Sequence, residues 1–353
     1  MKDFWKNKRV MITGVSGTVG RELLTQLENK GVAEIIGIDN NENEIFFLEQ
    51  SHAGKKNCKF YLTDIRDREV LGHHMRGCEV VLHAAALKHV GLCEHSPRSA
   101  VNTNIMGVQN IIDAASNAGV KRVLFTSSDK AVNPTNVMGT SKLMGERLMT
   151  AANACRDPDG PICASTRFGN VLGSRGSVIP VFRNQIAKGG PLTVRHMDMT
   201  RFIMTLSDAV NLVLETATLF NGGEVFITKM PVARIMDLAQ IMIEELAPQY
   251  GFKASDIHIK VTAPLAGEKM YEELMNDEEA RHSLESDRFF IVTPALDDRT
   301  HVYKNLQTFA ARMPYTSANS VCMGKEELRA YLFEYGLLEG AEKPAPKLRV
   351  VAS

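Results

Sequence analysis

The chain lacks an excess of charge of either sign: its 353 residues carry 41 Lys+Arg against 41 Asp+Glu. Nucleic-acid and membrane-surface proteins usually show a basic surplus, so both classes are disfavoured, while local basic pockets for phosphate stay open. Long apolar runs are missing too. None approaches the roughly 18 residues of a membrane span, and the opening residues MKDFWKNKR lack the apolar stretch of a signal peptide. The six cysteines, Cys58, Cys78, Cys93, Cys155, Cys163 and Cys322, form no CxxC pair, and no Cys/His spacing suits zinc. They read as reduced core residues, and no metal is expected. These absences point to a cytoplasmic protein that binds neither nucleic acid nor membrane. What is present is a large apolar fraction: hydrophobic residues make up 44% of the chain, enough for a sizeable core.

Short apolar runs alternate with helical stretches through the first half. Strands are expected at Val10–Thr13, Glu34–Asp39, Lys59–Leu62, Glu79–His83, Arg122–Thr126 and Ile162–Thr166. Helical patterns near Thr18–Lys30, Arg98–Asn117 and Val137–Ala154 separate them. Short, fully apolar strands in alternation with helices predict an α/β fold, a doubly wound parallel sheet covered on both faces. After Gly169 the rhythm breaks. Glycine and proline gather at Gly173–Gly176 and Gly189–Pro191, and helical patterns return near Ser207–Leu219 and Arg234–Ala247. The expected organisation is residues 1–168 mainly as the sheet domain and 169–339 mainly as a smaller lobe, with room for the chain to cross back to the sheet. Residues 340–353, with two prolines and scattered charge, are expected to form a disordered tail.

The segment TGVSGTVG follows the first strand and opens a helix, with Gly14, Gly17 and Gly20 in GxxGxxG spacing. The first glycine permits a tight turn. The second permits close approach of backbone to a pyrophosphate, and the third permits close packing of helix on strand. The helix N–H groups and positive dipole end then face the phosphates, with Ser16 and Thr18 in the same turn. Asp39 ends the second strand, at the spacing where a carboxylate accepts both ribose hydroxyls and repels a 2′-phosphate. Asn40-Asn41-Glu42 follow it rather than an arginine, which favours NAD and leaves NADP open. Asp39 also has the chemistry of a cap for the next helix. So does Asp64, which with Ile65 follows the third strand, where an adenine would lie.

Five further segments sharpen the pattern: HAAALKHVGLCE (83–94), SSDKAVNPTNVMGTSK (127–142), RFGNVLGSRGSVIP (167–180), MTRFIMT (199–205) and AGEKMYEEL (266–274). Together with the glycine motif, the chain resembles the extended short-chain dehydrogenases/reductases. Within them it is most similar to the nucleotide-sugar 4,6-dehydratases, in the branch that makes capsule, flagellar or glycoprotein sugars from UDP-N-acetylglucosamine. The resemblance runs from Lys8 to Met275. It implies a Rossmann-type sheet with a smaller C-terminal substrate-binding lobe. It also implies NAD at the glycine motif beside Ala84 and Ala85, a UDP-N-acetylhexosamine substrate, and a homo-oligomer, either dimer or hexamer.

In that reaction hydride leaves C4 for the cofactor and the new ketone acidifies the C5 proton. A base removes that proton while an acid protonates the departing C6 hydroxyl, and the hydride returns to C6. The resemblance implies Asp129 as the acid, Lys130 as the base, Ser128 at the sugar 4-oxygen and Lys142 at the nicotinamide ribose. Those roles require the pKa of Asp129 to rise and that of Lys130 to fall, the latter through burial or a cation such as Lys88. Met138 stands four residues before Lys142 on the same helix face, where most of the superfamily has tyrosine. A thioether takes no proton, so the C4 hydroxyl proton would leave through Asp129, Lys130 or a water held by Ser128. The resemblance places Asn170 and Arg201 at the diphosphate, a structural carboxylate being the other partner open to Arg201. It places Ser177 and Val178 on the uracil side, and Lys88 and His89 in the sugar pocket. Glu268 goes to the nucleotide ribose or into an ion pair with Lys269. The competing functions on this fold are a C4 epimerase or reductase, and a non-catalytic dinucleotide sensor.

Overall fold

The computed structural model describes residues 2–174, 176–264, 267–295, 303 and 306–339. The expected tail, 340–353, lies outside the described residues. All six expected strands form: β1 (Arg9–Thr13), β2 (Glu34–Asp39), β3 (Cys58–Leu62), β4 (Val80–His83), β5 (Arg122–Ser128) and β6 (Ile162–Phe168). The second half supplies β7 (Asn170–Val171), β8 (Leu192–Val194), β9 (Thr200–Met204), β10 (Val225–Thr228), β11 (Val232–Arg234), β12 (Ile259–Val261) and β13 (Glu273–Met275). It ends with β14 (Ser283–Glu285), β15 (Phe289–Val292), β16 (Phe309–Ala310) and β17 (Tyr315–Thr316).

One large sheet runs β16-β14-β15-β10-β6-β5-β4-β1-β2-β3. From β3 to β10 its neighbours are parallel, and β15 joins β10 antiparallel. This is the doubly wound α/β fold that the strand-helix alternation implies. Alternate residues explain the double covering. Val10 and Ile12 of β1 enter one apolar cluster while Met11 enters another, and Leu124 of β5 opposes Val123 and Phe125 in the same way. A third cluster, built on Ile179, Phe182, Leu238, Met242 and Leu328, forms the core of the lobe.

The residues after 168 are not confined to the lobe. After the lobe strand β9 the chain returns: helix Leu206–Leu219 packs on helix Thr18–Glu28, and β10 and β15 extend the main sheet. The physical reason is the exposed edge of β6, whose open hydrogen bonds β10 takes up. The expected helix Arg98–Asn117 is also broken. A short helix (Pro97–Ala100) passes into a π-helical stretch (Val101–Met106) and then an α-helix (Gly107–Ala118). The wider turn carries Asn104 inward, a placement typical of π-segments near sites. Its side chain bonds both Leu87 N (2.8 Å) and Leu87 O (2.9 Å), and also Ser141 Oγ (2.9 Å), tying the loop after β4 to helix Val137–Ala154.

A buried ion cluster joins that helix to the segment around Leu274 and Glu279. Arg167 of β6 pairs with Glu146 and Glu279 at 2.7 Å each, and also donates to Leu274 O at 2.8 Å. Buried charges of this kind hold only when every partner is present.

Candidate active site

The sheet's carboxyl edge opens into one cavity of about 750 Å³. Ligands bind at this edge in open α/β sheets. Its floor is the glycine turn. Gly14 has φ +69°, and a Cβ there would meet Ala85 Cα at 2.7 Å; a Cβ on Gly20 would lie 2.1 Å from Gly14 O. Helix Thr18–Glu28 begins at Gly17 with no side-chain cap, so its first N–H groups face the cavity uncovered. The Oγ atoms of Ser127 and Thr63, both in cavity-lining residues, are buried and without a protein partner. Bare backbone donors, a cradle too tight for any Cβ and orphaned hydroxyls fit a dinucleotide. Gly14, Ser16, Gly17, Thr18 and Gly20 would hold its pyrophosphate.

Asp39 accepts from Ser16 N (3.1 Å), Ser16 Oγ (2.7 Å) and Asn41 N (3.1 Å). It does not cap the following helix; Asn41 does, accepting from Glu44 N at 3.2 Å. Asp64 is likewise not a helix cap, a role that falls to Asp67. Asp64 instead takes a fork from Arg66 (2.9 and 2.6 Å), which holds its carboxyl down at about 2. Asp39, Asp64, Ile65, Ala84 and Ala85 all line the cavity.

The Ser128–Asp129–Lys130 group sits where β5 ends in a single 3₁₀ turn. Ser128 Oγ donates to Asp129 Oδ1 at 2.7 Å, and Lys130 Nζ meets both Asp129 oxygens at 3.0 and 2.9 Å. Asp129 is 5% exposed. Burial pushes Asp129 up, but Lys130 and Ser128 outweigh it and its carboxyl stays low. Burial pushes Lys130 down, but Asp129 and Glu272 outweigh it and its ammonium is held above its ordinary range. This reverses the shifts that an acid and a base need. The pair rests as an ion pair, and the cation opposing Lys130 is Arg201, not Lys88.

Helix Val137–Ala154 is capped by Asn136, which accepts from Gly139 N at 2.8 Å. It carries Met138 and Lys142 on one face into the cavity. Met138 is 3% exposed and packs against Cys93 and Ala100. Lys142 Nζ donates to Thr126 O at 2.9 Å, and burial pushes it down to about 8.

Lys88 and His89 are exposed at the cavity's rim, and Asn170 and Ser177 line its far wall. Val178, Arg201 and Glu268 are not among the lining residues. Val178 opens helix Val178–Ala187 and packs on the lobe core. Arg201 takes the carboxylate alternative, with Glu272 at 3.3 Å, Glu268 at 3.8 Å and the Lys269 carbonyl at 2.9 Å. Glu268 therefore pairs with Arg201, while Lys269 pairs with Glu273 at 2.8 Å. Asn170 Nδ2 donates to both oxygens of Glu272, at 2.7 and 2.9 Å.

Glu272 is the functional candidate that sequence reasoning missed. It lies in the AGEKMYEEL segment beside two other glutamates, and nothing local marks it as the buried one. Burial and then the charge of Asp129 push it up to about 7, with Lys130 and Arg201 opposing.

Residues 10–294 match the family described as polysaccharide biosynthesis protein. The chain belongs to that family. A family relative, the UDP-N-acetylglucosamine 4,6-dehydratase (inverting) of Campylobacter jejuni, is 37% identical over 83% of this chain and 84% of its own. The UDP-glucose 4-epimerase of Rickettsia conorii is 35% identical over 92% of this chain and 95% of its own. Among solved structures, Pen from Bacillus thuringiensis is 39% identical, with a TM-score of 0.88 over 95% of this chain and 99% of that one. DesIV of Streptomyces venezuelae, a dTDP-glucose 4,6-dehydratase solved with NAD and TYD, shares the fold at a TM-score of 0.64 and 22% identity, over 74% and 86%. The family thus holds nucleotide-sugar dehydratases and epimerases. No helix among the described residues is long and apolar enough to cross a membrane.

Proposed function

We propose that this protein is an NAD-dependent 4,6-dehydratase of UDP-N-acetylglucosamine, or of a close UDP-N-acetylhexosamine, serving surface polysaccharide or glycoprotein sugar synthesis. The observation that carries the reading is the Ser128–Asp129–Lys130 chain of hydrogen bonds in one cavity with the glycine cradle. The 37% identical Campylobacter jejuni relative, named for this reaction, supports it. NAD bound in the cradle would accept the C4 hydride and return it to C6, with Asp39 at a ribose and Lys142 at the nicotinamide ribose.

The resting ion pair suits a site with methionine at the tyrosine position. Asp129 begins as a carboxylate, so it can receive the C4 hydroxyl proton through Ser128 Oγ, 2.7 Å away. The same proton then serves as the acid for the departing C6 hydroxyl, which leaves as water. Once Asp129 is neutral, Lys130 loses the anion that holds its own proton, and burial with the Arg201 charge favours release of that proton to solvent, leaving the free amine that takes the C5 proton. Met138 offers no group for any of these transfers. The epimerases among the relatives need only the first, so water loss separates the two activities.

The deciding experiment is mass spectrometry of the purified protein with UDP-N-acetylglucosamine. Loss of one water from the sugar is expected. Asp129→Asn and Lys130→Ala should each lower the rate by roughly 10²–10⁴-fold. A product of unchanged mass but altered C4 configuration would make it an epimerase, and rates in both variants equal to that of the unmodified protein would overturn the acid–base assignment.

A further inference from the structure

The site holds a second buried carboxyl for which the proposed reaction has no use. Glu272 is 4% exposed. Its backbone is clamped by Ser317, whose Oγ accepts from Glu272 N at 2.9 Å and whose N–H donates to Glu272 O at 2.8 Å. The side chain is therefore aimed. It takes two contacts from Asn170 Nδ2 (2.7 and 2.9 Å), one from Phe202 N (2.9 Å) and Arg201 Nε at 3.3 Å. The charge of Asp129 also bears on it.

The charged groups facing Glu272 are Asp129 and Lys130 from the turn after β5 and Arg201 from β9. Glu268 lies beyond Arg201 at 3.8 Å, and Lys269 is taken up by Glu273 and the Val132 carbonyl. Burial and Asp129 favour the protonated form, whereas Arg201, Lys130 and Asn170 favour the ionised one. A carboxyl balanced near neutrality gains a proton when its donors turn to another anion, or when that anion merely draws near. Of the donors that hold it in its anionic form, Asn170 lines the cavity and Arg201 stands outside the lining; the family resemblance places both at the substrate's diphosphate.

We propose that Glu272 is a proton-linked latch: it holds Asn170 and Arg201 in the free protein and yields them, as a neutral acid, when a nucleoside diphosphate binds. The inference rests on the reading of those two residues as diphosphate ligands. Its neutral O–H then faces Asp129, so the bound complex places one proton beside the acid. Diphosphate affinity should fall as pH rises above about 7, approaching tenfold per pH unit once Glu272 is ionised in the free protein.

The test is titration calorimetry of the full chain with the β-methyl ester of UDP, which has both phosphate charges fixed and no sugar to react. Binding is measured at pH 7.5 in two buffers of different ionisation enthalpy. The expected result is uptake of between about half and one proton per ligand. Glu272→Gln, which keeps shape but cannot titrate, should bind the ester with no uptake and with affinity flat in pH. Binding to the unmodified protein without buffer dependence overturns the latch, whether or not the variant folds; equal uptake in the variant overturns it too. No binding to the unmodified protein overturns the nucleotide reading itself, and the latch with it.

Discussion

The cavity has two halves built on different physics. The dinucleotide half is made of backbone: one strand, one glycine turn and one helix N-terminus, all within residues 9–28. Its selectivity is steric, since no Cβ fits at Gly14 or Gly20. The charged half is made of side chains brought from four places: the turn after β5, β7, β9 and the segment before β13. Its properties are electrostatic, and each charge is set by the others. A backbone site tolerates changes around it so long as the turn survives. A charge cluster does not, because removing one member leaves another buried without its partner.

That contrast can be broken or sharpened by substitution. The largest effect is expected from Arg167→Ala, which strands the buried Glu146 and Glu279 and should cost about 3–5 kcal/mol of stability in urea unfolding. Because Arg167 ties helix Val137–Ala154 to the helix after β13, turnover should fall more than NAD retention. Equal loss of both would show that the two halves are one cooperative unit. Gly20→Ala should cost about 1–3 kcal/mol, since its Cβ would meet backbone at Gly14 and Val15. Here NAD retention should fall first, checked by cofactor content of the purified protein, with the shifted titration of Glu272 intact. The smallest effect belongs to Asn41→Ala, which removes the cap on Glu44 N and should cost about 1 kcal/mol by thermal unfolding, with turnover unchanged.

Legibility in the sequence followed the same divide. Six strands and the helix Val137–Ala154 could be read from apolar runs and periodicity, because each element's pattern is local. The return of β10 to the main sheet could not, since a four-residue strand says nothing about which edge it joins. The π-helical turn at Val101–Met106 was hidden for a similar reason: its cause is Asn104 bonding Leu87 and Ser141, residues 17 and 37 positions away. In the site, the glycines were visible through motif spacing, and Asp129, Lys130 and Lys142 were visible only through the family resemblance. The resting charge state was not, and its direction was opposite to the one the roles demand. Arg201 shows the limit of reasoning from one residue. Its apolar surroundings announced a buried partner, but not that Glu272 and Glu268 would supply it.

By itself the sequence determined the parallel sheet and the glycine turn of the dinucleotide cradle. Both depend on short-range geometry: strand period and glycine spacing. Only the tertiary structure decided which of the clustered glutamates is buried against Asp129, which partners occupy Asn170 and Arg201, and which way each proton leans. Those outcomes depend on distances between segments a hundred residues or more apart, such as Asn170 and Glu272. A charge's energy is set by what surrounds it in space, and the order of residues along the chain does not state that.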